Sequence, residues 1–323
     1  MKALITGIAG QDGPYLAELL LAKGYEVHGL VRQADLAEAS RIGDTHPDVA
    51  AHPRFRIVVG DLLDKASLIK LLREIGPDEV YNLAGQSNVE GSFSVPELTA
   101  EINGIGALRL LEALREASKE ARMYQASSSE LFGHAVESPQ NESTPFRPRS
   151  PYGAAKLFAY WMMVNYRQRH GMFAANGLLF NHESPRRSDA FVTRKISKAV
   201  ANIAAGKQDF VELGNLDARR DWGYAGDHMD AVWRMLQHPE PDDFVIETGE
   251  LHTVREFVEL AFGCAGIDWR EHVRVNPDYV RPAEQVPLVG DASKALRELG
   301  WRPKVTFKQL VTMMVESDMA RIR

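Results

Sequence analysis

The sequence predicts an α/β protein built on a doubly wound parallel sheet, with a smaller, mostly helical domain toward the C-terminus. Three observations predict it. Short apolar runs alternate with helical stretches through the first half. A glycine-rich turn follows the first apolar run and opens a helix. The second half loses the alternation, with a basic loop (Asn181 to Arg187), a helix (Thr193 to Ala205) and a proline-rich stretch (Asn276 to Pro287), but no repeat or linker separates the halves.

The elements follow in order. Ala3 to Thr6 reads as a buried strand. Pro14 to Lys23 reads as a helix, with Leu16, Leu19 and Leu20 on one face and Gly24 as its stop. Strands follow from Val27 to Val31 and from Arg56 to Val59, then a helix from Ala66 to Ile75 and a strand from Glu79 to Leu83. A long helix runs from Thr99 to Ser118, a fifth strand from Met123 to Ala126, and a second long helix from Tyr152 to Arg169. Strands alternating with helices imply right-handed crossovers and a parallel sheet. The two halves are expected to pack as one body around a ligand cleft.

Composition narrows the function. With 323 residues, 45% hydrophobic and 25% charged, the chain is an ordinary globular protein long enough for a large core. A net charge of −6 argues against nucleic acid or an anionic membrane as partner. The single cysteine, Cys264, reads as a lightly buried thiol, and neither cysteine nor histidine spacing suggests a metal. No apolar run reaches the ~18 residues of a membrane span, and the opening run is too short for a signal peptide, so a cytoplasmic location is expected.

Gly7, Gly10 and Gly13 have the spacing GxxGxxG between a strand and a helix. Glycines there let backbone approach a pyrophosphate, whose charge the helix N-terminus favours; the alternative is a tight turn without a ligand. This makes the sheet Rossmann-type. At the end of the second strand an acidic residue would suit a ribose 2′-hydroxyl and a basic one a 2′-phosphate. Arg32 stands there, favouring NADP, with Asp35 close by. Asp61, after the third strand, reads equally as an acceptor for an adenine amine or as a helix N-cap before Leu62.

Tyr152 and Lys156 lie one helical turn apart on one face. A lysine beside a tyrosine lowers the phenol pKa, and such a tyrosine can take a hydroxyl proton while hydride leaves the same carbon. Three serines and Glu130 end the fifth strand, and strand C-termini in such sheets face the ligand crevice. Ser128 can bind the reacting hydroxyl. Glu130 can abstract a proton beside a new ketone and then, protonated, assist loss of a β-hydroxyl.

These residues together resemble the short-chain dehydrogenase/reductase superfamily in its extended, nucleotide-sugar-modifying branch. Within it, YQASSSELFG, PRSPYGAAKLFAYW, LFNHESPRR and LGNLDARRDWG look like the GDP-mannose 4,6-dehydratase family. The resemblance implies that Tyr152, with Lys156 beside it, deprotonates the sugar 4-hydroxyl while hydride passes to NADP. Glu130 then takes the C5 proton, water leaves from C6, and the hydride returns there. The product is a GDP-4-keto-6-deoxy sugar. The resemblance also places Gln11, Asp12, Leu62, Leu83, Ala84, Gln86, Ser87, His182 and Arg187 against the cofactor, and Ser87, Ser128, Asn181, Val192, Lys195, Arg220, Arg281 and Glu284 against the GDP-sugar. Residues 1–178 with about 214–249 would bind NADP, about 179–213 and 250–323 the GDP-sugar, in a homodimer or homotetramer.

Several positions depart from the family pattern. Ser128 stands where threonine is usual, and either hydroxyl can donate and accept. Gln33 to Leu36 replace a second arginine and a serine run, Leu98 a tyrosine, and Asn88 and Glu90 differ near the expected sugar, which leaves room for GDP-manno-heptose. Among the basic pairs Arg186-Arg187, Arg194-Lys195 and Arg219-Arg220, guanidinium forks suit a diphosphate. Two readings compete: a reductase or epimerase of the same fold, and a non-catalytic dinucleotide sensor. An epimerase needs no eliminating acid, and a sensor would not keep Tyr152, Lys156 and Glu130 together.

Overall fold

The structure, a computed structural model, describes residues 1–36, 42, 46–279 and 286–322. Seven parallel strands form the central sheet: β1 (Lys2–Thr6), β2 (Glu26–Val31), β3 (Phe55–Val59), β4 (Glu79–Asn82), β5 (Arg122–Ser128), β6 (Ala174–Leu179) and β7 (Asp243–Ile246). Their order is β7-β6-β5-β4-β1-β2-β3, so the direction of winding reverses between β1 and β4. All six pairings are parallel. In such a sheet ligands bind beyond the strand C-termini at the reversal.

Helices cover both faces: α1 (Asp12–Ala22), α2 (Lys65–Ile75), α3 (Gly106–Ala117) and α4 (Pro151–His170). The expected helix from Thr99 is interrupted. A short helix over Pro96–Ala100 and a π-helical turn over Glu101–Ile105 precede α3. β6 and β7 have no counterpart among the expected strands. Expected ends also moved by a few residues, and β5 runs on to Ser128. Asp64, not Asp61, caps α2, accepting from the amides of Ala66 and Ser67. Asp61 instead accepts from Leu63 N at 2.9 Å in a local turn, so its N-cap reading is corrected.

Beyond the sheet come α5 (Val192–Ala204), α6 (Ala225–Gln237), α7 (Val254–Ala265), α8 (Ser293–Leu299) and α9 (Phe307–Ile322). The sheet carries an apolar core on each face, one with Leu16, Leu20, Val232 and Met235, the other with Leu68, Leu72, Leu110 and Leu114. A further core gathers Ile196, Val200, Trp222, Phe257, Phe262, Leu310 and Met314 from α5, α7, α9 and the loop ahead of α6. Each such side chain contributes about 1.5–3 kcal/mol on burial. Cys264 is exposed, not lightly buried. No helix among the described residues is long and apolar enough to cross a membrane.

Candidate active site at the strand C-termini

A ladder of buried amides and hydroxyls joins the ends of the central strands. Thr6 Oγ1 donates to Asn82 Oδ1 at 2.6 Å, and Asn82 Nδ2 donates to Gln125 Oε1 at 2.7 Å. Thr6 Oγ1 also accepts from Ala84 N, at 3.1 Å. With each polar atom satisfied, the ladder holds β1, β4 and β5 in fixed register where a ligand would sit. Sequence reasoning did not single out these three; polar residues closing apolar strands are their only signal.

The glycine turn is built for close approach. Gly7 has φ +71°, and a Cβ there would lie 2.8 Å from Ala84 N. A Cβ on Gly13 would lie 2.6 Å from Ile8 Cα. Both glycines therefore let backbone pack on backbone. A Cβ on Gly10 would meet nothing nearer than Gly7 O, at 3.2 Å, and Ala9 and Gly10 are exposed at the N-terminus of α1. That exposed backbone at a helix start fits a dinucleotide pyrophosphate.

The next two residues clasp the second half of the chain. Gln11 Nε2 donates to His182 O at 3.0 Å, and Ser184 Oγ donates to Gln11 Oε1 at 2.9 Å. His182 Nε2 lies 2.9 Å from Asp12 Oδ2, and its Nδ1 lies 2.8 Å from Phe180 O. Burial alone would raise the Asp12 carboxyl, but His182 and Arg187 outweigh it and hold it at about 2. Arg187 sits 3.1 Å from Glu183 and stacks on Phe191.

Arg32, at the end of β2, pairs with Asp35 through two contacts of 2.6 and 3.0 Å. The guanidinium is thus engaged by a neighbouring carboxylate at the end of β2. On the other side of the crevice, Gln86 N donates to Asn103 Oδ1 at 2.8 Å and Asn103 Nδ2 donates to Gln86 O at 2.9 Å. Asn103 comes from the π-helical turn, whose extra residue swings it toward the 83–87 loop. Within that loop Ser87 is exposed, while Leu83 and Ala84 are half-buried; Leu62 is fully buried beneath α3.

The catalytic candidates meet at the end of β5. Ser128 Oγ accepts from Glu130 N at 3.2 Å and hydrogen-bonds the Tyr152 phenol. Tyr152 begins α4, where Ser150 caps the helix and Ser92 Oγ accepts from Tyr152 N at 3.2 Å. Burial pushes the phenol up to about 12; the Ser128 hydrogen bond works against burial, and the Glu130 carboxylate adds to it. This corrects the expectation of a lysine-lowered phenol. Lys156 Nζ donates to Ala126 O at 2.8 Å and lies 5.8 Å from the Tyr152 ring centroid, and burial brings Lys156 itself down to about 8. The Glu130 carboxylate is within electrostatic reach of the Tyr152 phenol.

The expected diphosphate clamp divides. Arg194 is buried in an ion pair with Asp318, and Arg186 bonds Glu18 at 2.6 Å while stacking on Tyr15. These two hold the fold and are not free for phosphate. Lys195 is exposed, 4.6 Å from the Tyr279 ring centroid, one turn from Val192 at the start of α5. Arg220 lies on a two-residue strand paired with His252–Thr253. Asn181 is half-buried, and its carbonyl accepts from Gly223 N. Arg281 and Glu284 lie outside the described residues. Among the described residues no group of histidines, cysteines and carboxylates could hold a metal.

The sequence model of the family described as GDP-mannose 4,6 dehydratase matches residues 4–314. GDP-mannose 4,6 dehydratase of Drosophila melanogaster is 51% identical, over 99% of this chain and 87% of that one. GDP-mannose 4,6-dehydratase of Yersinia enterocolitica is 49% identical, over 100% of this chain and 95% of that one. Among solved structures, RMD from Pseudomonas aeruginosa complexed with NADPH superposes with a TM-score of 0.82 at 27% identity, covering 99% of each chain.

Proposed function

The chain belongs to the GDP-mannose 4,6-dehydratase family, and from that premise we propose that it is a hydro-lyase converting GDP-D-mannose to GDP-4-keto-6-deoxy-D-mannose and water. The observation that carries the reading is the meeting of Ser128, Glu130 and Tyr152 at the C-terminal end of β5, beside the glycine turn.

The glycine turn, Arg32, Asp61, the 83–87 loop, His182 and Arg187 would hold a nicotinamide dinucleotide, with Tyr152 and Lys156 at its reactive end. When bound, that group supplies the acceptor and donor of the hydride that leaves C4 and returns to C6. Arg32 suits the 2′-phosphate of NADP if its guanidinium turns from Asp35.

The chain's own residues move the protons. Glu130 N–H fills a lone pair of Ser128, which leaves the serine hydroxyl proton to stabilise the Tyr152 phenolate. Tyr152 takes the proton of the sugar 4-hydroxyl. The 4-ketone acidifies C5, and Glu130 accepts the C5 proton. Protonated Glu130 then returns a proton to the C6 hydroxyl, which departs as water. One carboxyl serves as base and acid in turn. Hydride return to C6 is matched by uptake of one solvent proton at C5, while Tyr152 gives up the 4-hydroxyl proton to solvent. Because C6 regains the hydride that C4 lost, the reaction needs no net oxidant. Lys195 and Arg220 neutralise the GDP diphosphate, with Asn181, Val192, Arg281 and Glu284 completing the nucleotide subsite. The sheet with α6 forms the cofactor-binding unit and the remainder the sugar-binding unit, in a cytoplasmic homodimer or homotetramer.

Incubation with GDP-mannose and a catalytic amount of NADP tests the assignment. A keto sugar that absorbs in alkali, with no net change in NADPH, supports it. Stoichiometric consumption of NADPH would make the protein a reductase instead.

A further inference from the structure

Both ring nitrogens of His182 face acceptors and nothing else: Phe180 O at Nδ1, 2.8 Å away, and Asp12 Oδ2 at Nε2, 2.9 Å away. A neutral imidazole carries one proton and would turn a lone pair toward one of these oxygens; only the imidazolium donates to both. The neighbouring His228 differs. Its Nδ1 faces Tyr224 O at 3.1 Å, its ring stacks on His182 with centroids 4.6 Å apart, and burial first, then the charge on His182, pull it down to about 3. The stacked pair thus carries one charge, on His182.

Asp12 is the first residue of α1, where the resemblance and the exposed glycine turn place the dinucleotide pyrophosphate. A bare carboxylate there would oppose an incoming phosphate at the helix end meant to attract it. We propose that His182 acts as an imidazolium strut: its charge cancels that of Asp12 and keeps the turn receptive to dinucleotide phosphate, making it a positioning residue whose proton is linked to cofactor affinity. The inference rests on the dinucleotide reading of the turn. The same contacts tie residues 11–12 to residues 180–184, so the charge also joins the turn to the loop that carries Arg187.

The other charged or titratable groups around this pair are few. His182 is faced by Asp12 from α1, His228 from α6 and Arg187 from its own loop. Asp12 is sensed in addition by Lys156 and Tyr152 of α4 and Tyr124 of β5. Of these, Lys156, lowered to about 8, also titrates within an accessible range. Its contribution is common to wild type and to a His182 variant, and cancels in their difference.

The test uses the full chain and NADP⁺. Calorimetric dissociation constants are measured from pH 6 to 9 for wild type and His182→Gln, whose amide can donate to Asp12 without charge. In wild type the constant should rise by about tenfold per pH unit above the His182 titration, as expected when one proton is linked to binding. In His182→Gln binding should be weaker at pH 6 and lack that increment. In parallel, ¹⁵N NMR of the wild-type ring, assigned through its contacts to His228, should show both nitrogens protonated at pH 7. A ring with one bare nitrogen at pH 7, or identical pH slopes in the two proteins, overturns the proposal. Failure of NADP⁺ to bind wild type at any pH would sink the dinucleotide reading instead, and the ring measurement, which needs neither ligand nor variant, still decides the charge on His182.

Discussion

Removal of one hydroxyl, in Ser128→Ala, should raise the cost of ionising Tyr152 by a predictable amount. Burial holds the phenol at about 12, so at pH 8 roughly one molecule in 10⁴ carries a phenolate, a deficit of about 5 kcal/mol. Ser128 opposes that deficit, because its hydroxyl hydrogen-bonds the phenol and favours the ionised form. A hydrogen bond to a charged oxygen is worth about 1.5–3 kcal/mol, which is about one to two pKa units. Turnover of Ser128→Ala should therefore fall about 10- to 100-fold at every pH well below the phenol pKa. Ser128→Thr keeps the hydroxyl and should stay within about threefold of wild type if the extra methyl is accommodated. The assay is single-turnover formation of the keto sugar from pH 6 to 10. A Ser128→Ala profile that superimposes on wild type would refute the hydrogen-bond argument.

Other expectations follow from the same geometry. Glu130→Gln should still exchange hydride at C4 but lose at least ~10²-fold in water elimination, read as absent solvent deuterium at C5; normal product formation would remove Glu130 from the mechanism. Lys156→Met should abolish turnover yet stabilise the ligand-free protein. The folded lysine is held at about 8 against 10.5 when exposed, so the unfolded chain binds the extra proton between those values and stability rises with pH there. Below pH 8 the buried charge costs about 3 kcal/mol, and a higher melting temperature for Lys156→Met at pH 7, converging with wild type above pH 10.5, is the expected result. Arg32→Ala should weaken NADP more than NAD, and Asp35→Ala should strengthen NADP by removing a carboxylate that competes for the guanidinium; equal changes for both dinucleotides would exclude a 2′-phosphate contact. Gly13→Ala puts a Cβ 2.6 Å from Ile8 Cα, a clash with backbone that should cost about 3 kcal/mol or more of stability in a denaturant titration.

Much of the sheet was legible because its first five strands are short apolar runs with a helix or glycine turn between them. β6 was not, because Ala174, Asn176 and Gly177 have low strand propensity, and only burial on both faces selects that conformation. β7 is four residues long, too short for a periodic signal. The break at Glu101–Ile105 was invisible for another reason: Gly104 is placed by its packing on Ala155 and Phe158, some fifty residues onward. The catalytic candidates could be read from spacing, since Ser128 and Glu130 share a strand end and Tyr152 and Lys156 share a helix turn. Their ionisation could not. The phenol is governed by burial, which spacing does not report, and the lysine beside it in sequence bonds Ala126 O. Arg194 shows the same limit. It reads as half of a basic pair, but Asp318, 124 positions away, makes it part of the core.

A single carboxyl and a single phenol are proposed to work on one hexose while hydride stays within the active site. GDP-mannose deuterated at C4 measures that directly. The product should carry the label in its C6 methyl group, with little of it lost when unlabelled NADPH is added, and solvent hydrogen at C5. Label released into the NADPH pool, or product retaining the original hydrogen at C5, would contradict it.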